Sequence, residues 1–135
     1  MFSSEDLVGT LLAFMDAVRT TAQNALPESC SLMHVKTLDF ISRTKEPSMS
    51  AVAEFLKITS PGATMVVDKL VENGELAREA DTADRRVVRL SVTAKGHKAL
   101  ERGREIITGG LNERLAKLSK AEQKEFRQLL QKITA

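Results

Sequence analysis

Between residues 48 and 92 the hydrophobic period changes once, from helical to alternating, and this change restricts the fold more than any other feature. Ser48 can cap a short helix over 49–56 that turns Val52, Ala53 and Leu56 inward. A brief turn, Lys57-Ile58-Thr59, leads to Ser60-Pro61, a hydroxyl cap followed by proline at the first helical position. The helix so started repeats Ala63, Val66, Val67 and Leu70, and stops at Asn73-Gly74, where glycine accepts the left-handed conformation. After Gly74 the period becomes two. Leu76–Glu79 is a short strand, and residues 87–92 alternate Val88, Leu90 and Val92 with Val87, Arg89 and Ser91. The polar, turn-prone stretch 80–86 between them makes a hairpin with a charged tip. A short helix, a tight turn, a second helix and a basic hairpin together predict a helix-turn-helix followed by a wing.

Helices flank this centre on both sides. Residues 5 to about 25 carry Leu7, Leu11, Phe14, Met15, Val18 and Ala22 at helical spacing, with Pro27 beyond the stop. Residues 32–43 repeat the pattern with Leu32, Val35, Leu38 and Ile41 behind a Ser31 cap. Thr93 caps a long helix with Leu100, Ile107, Leu111, Leu115 and Leu118. Gly109-Gly110 is expected to kink it, since two interior glycines cost about 2 kcal/mol relative to alanine. Ser119-x-x-Glu122 is a capping box opening a last helix expected to bury Phe126, Leu129, Leu130 and Ile133. The fold class is therefore mainly α (α+β). A length of 135 residues fits one domain, and no internal repeat or interdomain linker interrupts it.

Composition excludes several functions. A single cysteine cannot form an internal disulfide or a cysteine-based metal cage, and two distant histidines add little, so no metal or cofactor is expected. No apolar run reaches the roughly 18 residues of a spanning helix and no basic-apolar leader opens the sequence, so a cytoplasmic protein is expected. No G-x-S-x-G, Walker loop or H-E-x-x-H occurs, which argues against an enzyme. The net charge of +2 conceals an uneven distribution. Residues 1–56 hold four basic and seven acidic side chains, whereas Arg85–Arg104 holds seven basic and one acidic. A patch of that kind, starting at a hairpin tip, attracts a polyanion.

From about Ser48 to Gly96 the chain resembles the MarR family of bacterial winged-helix transcription regulators. The resemblance rests on Ser48-x-x-x-Val52-Ala53-x-x-Leu56, on Ile58–Thr64 with Asp68-Lys69-Leu70-x-x-Asn73-Gly74, and on Asp84-Arg85-Arg86 with Val92-Thr93-Ala94-Lys95-Gly96. The flanking helices match in order and extend it over nearly the whole chain. It implies a single MarR-like domain over 1–135: a DNA-binding lobe at 31–96, a wing at about 76–92, and dimerisation helices at 1–30 and 97–135. It also implies a homodimeric repressor that binds a palindromic double-stranded operator.

The helix from Pro61 would then enter the major groove. Ser48, Thr59, Ser60, Pro61, Gly62, Thr64, Met65 and Lys69 are the expected DNA-contacting residues on the helix-turn-helix. Ser60 and Thr64 suit a phosphate or base edge, Gly62 permits close backbone approach, and Lys69 suits a phosphate. Met65 stands where the family often carries arginine or another polar reader, and suits a thymine methyl. Arg85 and Arg86 would reach an adjacent minor groove, with Asp84 orienting an arginine. Leu7, Leu11, Leu118, Phe126, Leu129, Leu130 and Ile133 are candidates for the dimer interface or the core.

Family members commonly respond to small phenolic or lipophilic effectors bound between the dimer helices and the winged domain, for which Phe14, Met15, Met33 and His34 are the candidates. Others respond to thiol oxidation, for which the only candidate is Cys30, with a pKa lowered by a helix N-terminus. A winged helix repurposed as a protein-interaction adaptor is the remaining alternative.

Overall fold

The computed structural model describes residues 3 and 5–135. In chain order the elements are α1 (Leu7–Ala25), α2 (Leu32–Arg43), α3 (Met49–Leu56), α4 (Ser60–Glu72), β1 (Leu76–Ala80), β2 (Val88–Val92), α5 (Ala94–Leu115) and α6 (Lys120–Thr134). They form two compact units. One is Leu26–Glu105; the other contains α1, α6 and α5 from Ile106 onward.

In the first unit, α2, α3 and α4 pack around an aliphatic core. Leu38, Val52, Val67 and Leu70 are its largest fully buried apolar side chains, joined by Val35, Ile41, Ala63, Leu76, Leu90 and Leu100. Thr37 is the buried polar member, and its hydroxyl donates to the Met33 carbonyl at 2.7 Å, so no hydrogen bond is lost by its burial. Ser31 and Ser48 cap α2 and α3, accepting from the backbone N–H of His34 and Ala51. The α3–α4 turn requires Lys57 at φ 55°, a left-handed C-cap whose N–H satisfies the Ala53 and Glu54 carbonyls.

The cap of α4 differs from expectation by one residue. Thr59, with extended backbone, accepts from the Gly62 N–H at 3.2 Å, while Ser60 already belongs to the helix. Pro61 therefore occupies the second helical position, where its missing N–H still costs no internal hydrogen bond. Gly74 (φ 77°) ends the helix as its sequence position predicts.

The two strands pair antiparallel, with Leu76 opposite Val92, Arg78 opposite Leu90 and Ala80 opposite Val88. Leu76 and Leu90 enter the core, but Val88 is exposed because the hairpin has by then left the helices. The root of the hairpin is fixed by α5. Thr93 donates to the Gly74 carbonyl at 2.6 Å while its Oγ1 accepts from the Gly96 N–H at 3.0 Å. A Cβ at Gly96 would lie 2.0 Å from the Glu75 carbonyl oxygen, so only glycine allows this approach.

In the second unit two expectations are corrected. α5 runs without interruption through Gly109-Gly110. Gly110 has a packing role instead: an added Cβ would come within 3.3 Å of Ala25 Cβ and 3.5 Å of Thr21 Cγ2. The second concerns α6, which has its capping box, with Ser119 and Glu122 each accepting from the other's backbone N–H, but buries none of its side chains. Phe14 and Phe126 meet edge-to-face at 5.6 Å, whereas Leu129 and Ile133 are 55% and 68% exposed. On α1, Leu7, Leu11, Leu12 and Met15 are likewise exposed. Among the described residues no helix is long and apolar enough to cross a membrane.

Candidate nucleic-acid interface

Helix α4 divides into two faces. Ala63, Val67 and Leu70 lie in the core, and Ser60, Pro61, Thr64, Met65, Asp68, Lys69 and Glu72 lie in solvent. The outer face begins at the helix N-terminus, whose dipole favours an anion such as a phosphate, although the Gly62 and Ala63 N–H groups are already taken by Thr59. Several of its polar groups already have partners. The Thr64 hydroxyl donates to the Ser60 carbonyl at 3.0 Å, and the Asp68 carboxylate is ion-paired with Arg78 of β1. Gly62 has a local reason as well as the expected one, since a Cβ there would press to 3.2 Å on the capping Thr59 Oγ1. Ser48 is half-buried, with its hydroxyl engaged as the α3 cap.

At the hairpin tip, residues 81–87 fold back through Asp81 N–H to the Val87 carbonyl (2.9 Å) and Val87 N–H to the Asp84 carbonyl (3.0 Å). Asp84 accepts three bonds from Arg86: from the backbone N–H at 3.0 Å, Nε at 3.1 Å and Nη2 at 3.2 Å. Those bonds hold the Asp84 carboxyl below the usual carboxylate range, the side-chain bonds contributing most. The Arg86 side chain remains 91% exposed while so held, and Arg85 beside it is exposed. The tip therefore projects two guanidinium groups into solvent, one of them oriented.

Not all of the basic segment is available in this way. Arg89 bridges two acids, Glu46 of the α2–α3 loop and Asp81 of the hairpin, each at 3.4 Å. Arg104 is paired with Asp39, and Lys95 donates to the Asn73 carbonyl at 2.7 Å, closing the end of α4. The sequence offered no local signal for the Asp68–Arg78 and Arg89 pairs, because they join different elements.

The remaining candidates fall in both units. Phe14 and Met15 are exposed on α1; on α2, Met33 is exposed and His34 half-buried. Burial lowers the His34 pKa, partly opposed by Glu75 and assisted by Lys69. Cys30 behaves contrary to the helix-terminus expectation. Burial, followed by the Glu75 carboxylate, pushes the thiol pKa upward, which favours the protonated thiol over the thiolate. Among the described residues no group of three or more His, Cys, Asp or Glu is placed to hold a metal.

Comparison with known proteins leads to the same architecture. A MarR family model matches residues 31–87, from the start of α2 through the hairpin tip. The HTH-type transcriptional repressor Rv2887 of Mycobacterium tuberculosis is 27% identical over 128 residues, covering 93% of this chain and 92% of the repressor. The crystal structure of the M. tuberculosis MarR family protein Rv2887 in complex with salicylic acid is 25% identical and superposes with a TM-score of 0.78, covering 95% of this chain and 96% of that one. Wild-type MarR from Escherichia coli in its apo form shares the fold at a TM-score of 0.88 and 20% identity, over 96% of this chain and 97% of that one. Matched through its helix-turn-helix and hairpin tip by the family model and along its length by a repressor, this chain is similar to the MarR family regulators and shares their winged-helix fold.

Proposed function

We propose that this protein is a homodimeric repressor that binds a palindromic double-stranded DNA operator and releases it when a small aromatic acid binds. The observation carrying this reading is the pairing of α4, whose outer face exposes Ser60, Pro61, Thr64 and Met65, with a hairpin tip that exposes Arg85 and Arg86. A recognition helix of this kind fits the major groove, and guanidinium groups at the wing fit the negative potential of a narrow minor groove. Ser60 and the α4 N-terminus, with Lys69, supply phosphate contacts that fix the register. Thr59 and Ser48 act by capping the two helices. The repressor relative supports the direction of regulation, and the salicylic acid bound to Rv2887 supports the effector class.

The test is selection of duplexes from a randomised pool, followed by titration of an enriched duplex at several salt concentrations. A DNA-binding reading requires log K to fall steeply and linearly with log salt. Arg86→Ala should weaken binding several-fold and flatten that slope by about one phosphate contact. Unchanged affinity and slope in Arg86→Ala would remove the wing from the interface. Adding salicylate should release the duplex.

A further inference from the structure

The base-facing surface of α4 has an unusual composition for a reader of DNA. In the major groove, guanine is usually read by arginine or lysine and adenine by asparagine or glutamine, each through two hydrogen bonds. The exposed face of α4 carries no arginine, asparagine or glutamine. Asp68 is tied to Arg78, and the Thr64 hydroxyl proton is committed to the Ser60 carbonyl. Lys69 lies more than two turns from the N-terminus, where a phosphate is the nearer partner. Pro61, Thr64, Met65 and Asp68 stand at i, i+3, i+4 and i+7, the spacing that keeps them on one helix face. Met65 is 74% exposed, while Val67 two residues on is fully buried. The long, flexible thioether adapts to an apolar surface and offers no donor. Only one base edge in the major groove presents an apolar group: the pyrimidine C5-methyl.

We propose that Met65 is the specificity-determining residue of the interface and reads a C5-methylated pyrimidine, thymine or 5-methylcytosine, in each half-site. The proposal rests on the DNA-binding reading above and gives that reading a base preference. Discrimination comes from burying one methyl group against the Met65 side chain, worth about four-fold in affinity at ~0.8 kcal/mol for each such group. Removing the methyl leaves every hydrogen-bonding edge of the base pair unchanged, so the effect isolates this contact.

The test uses a duplex enriched from the randomised pool, with each thymine replaced in turn by uracil. One position in each half-site should lose about four-fold in affinity on replacement. At that position a 5-methylcytosine·guanine pair should bind better than cytosine·guanine by a similar factor. Met65→Ala, at a solvent-exposed site, should fold normally by circular dichroism and bind the thymine and uracil duplexes equally, whereas Met65→Leu should retain the difference. Enrichment of a duplex with no uracil-sensitive position, or sensitivity that persists in Met65→Ala, overturns the assignment and leaves DNA binding standing. Failure to enrich any duplex overturns both.

Discussion

Arg86 and His34 illustrate how single side chains are set by their surroundings. Arg86 is exposed, yet Asp84 holds both its guanidinium and its backbone N–H, so a cation at a turn has a defined direction before any partner arrives. An ion pair this exposed adds little to stability; its contribution is to orientation. His34 has the opposite character. Burial is the largest cause of its lowered pKa, ahead of the opposing Glu75 and the assisting Lys69. The unfolded chain therefore takes up a proton at a higher pH than the folded chain does. Stability is unaffected by His34 at pH well above the ordinary imidazole value of about 6.5, and falls as the pH drops through that value toward the lower folded-state pKa. A His34→Gln variant should show a flatter dependence of Tm on pH between about 7 and about 5. Parallel curves for the two proteins would assign the acid sensitivity to another group.

At the scale of elements, the hairpin is anchored at two levels. Its root is fixed by Thr93 and by the approach of Gly96 to the Glu75 carbonyl, and its shaft by Arg89 between Glu46 and Asp81. Arg89→Ala removes the second anchor only. The expected result is faster hydrogen exchange at the Asp81 and Val87 amides, with global stability changed by no more than about 1 kcal/mol. Because Arg89 is engaged with two acids, the salt slope of DNA binding should stay as in the native protein while affinity falls. A reduced slope would mean that Arg89 contacts phosphate directly. These anchors also mark where the sequence was readable. The starts of α3 and α6 follow from Ser48, and from Ser119 with Glu122, because capping is chemistry within four residues. Thr59 and Ser60 are both competent caps, and only the extended backbone at Thr59 separates them. Helix propensity predicts a kink at Gly109-Gly110, where α5 stays helical; the close approach of Ala25 and Thr21 to Gly110 is a tertiary matter that propensity does not describe. Arg89 stood out in sequence only as one of seven basic residues, since its two acids lie 43 and 8 positions away.

At the scale of the whole molecule, the apolar stripe of α6 was legible, but what it faces was not. A stripe facing its own core and one facing a second chain have the same period. In the single chain that stripe is exposed. Leu129 and Ile133 on α6, with Leu7, Leu12 and Met15 on α1, remain substantially in solvent, while α6 buries none of its residues. Soluble proteins rarely leave that much apolar surface without a partner. A second copy of the chain is the partner that the proposed function requires, because a two-fold dimer matches a palindrome and places two α4 helices on successive half-sites. Leu129→Glu with Ile133→Glu should therefore yield a folded monomer by analytical ultracentrifugation. Neither side chain is buried in the single chain, so helical content should be preserved. The monomer should bind the enriched palindrome with the low affinity of one half-site and should bind an isolated half-site as the native chain does. A variant that remains dimeric would place the interface elsewhere, and a native protein that is monomeric at micromolar concentration would sink the dimer altogether.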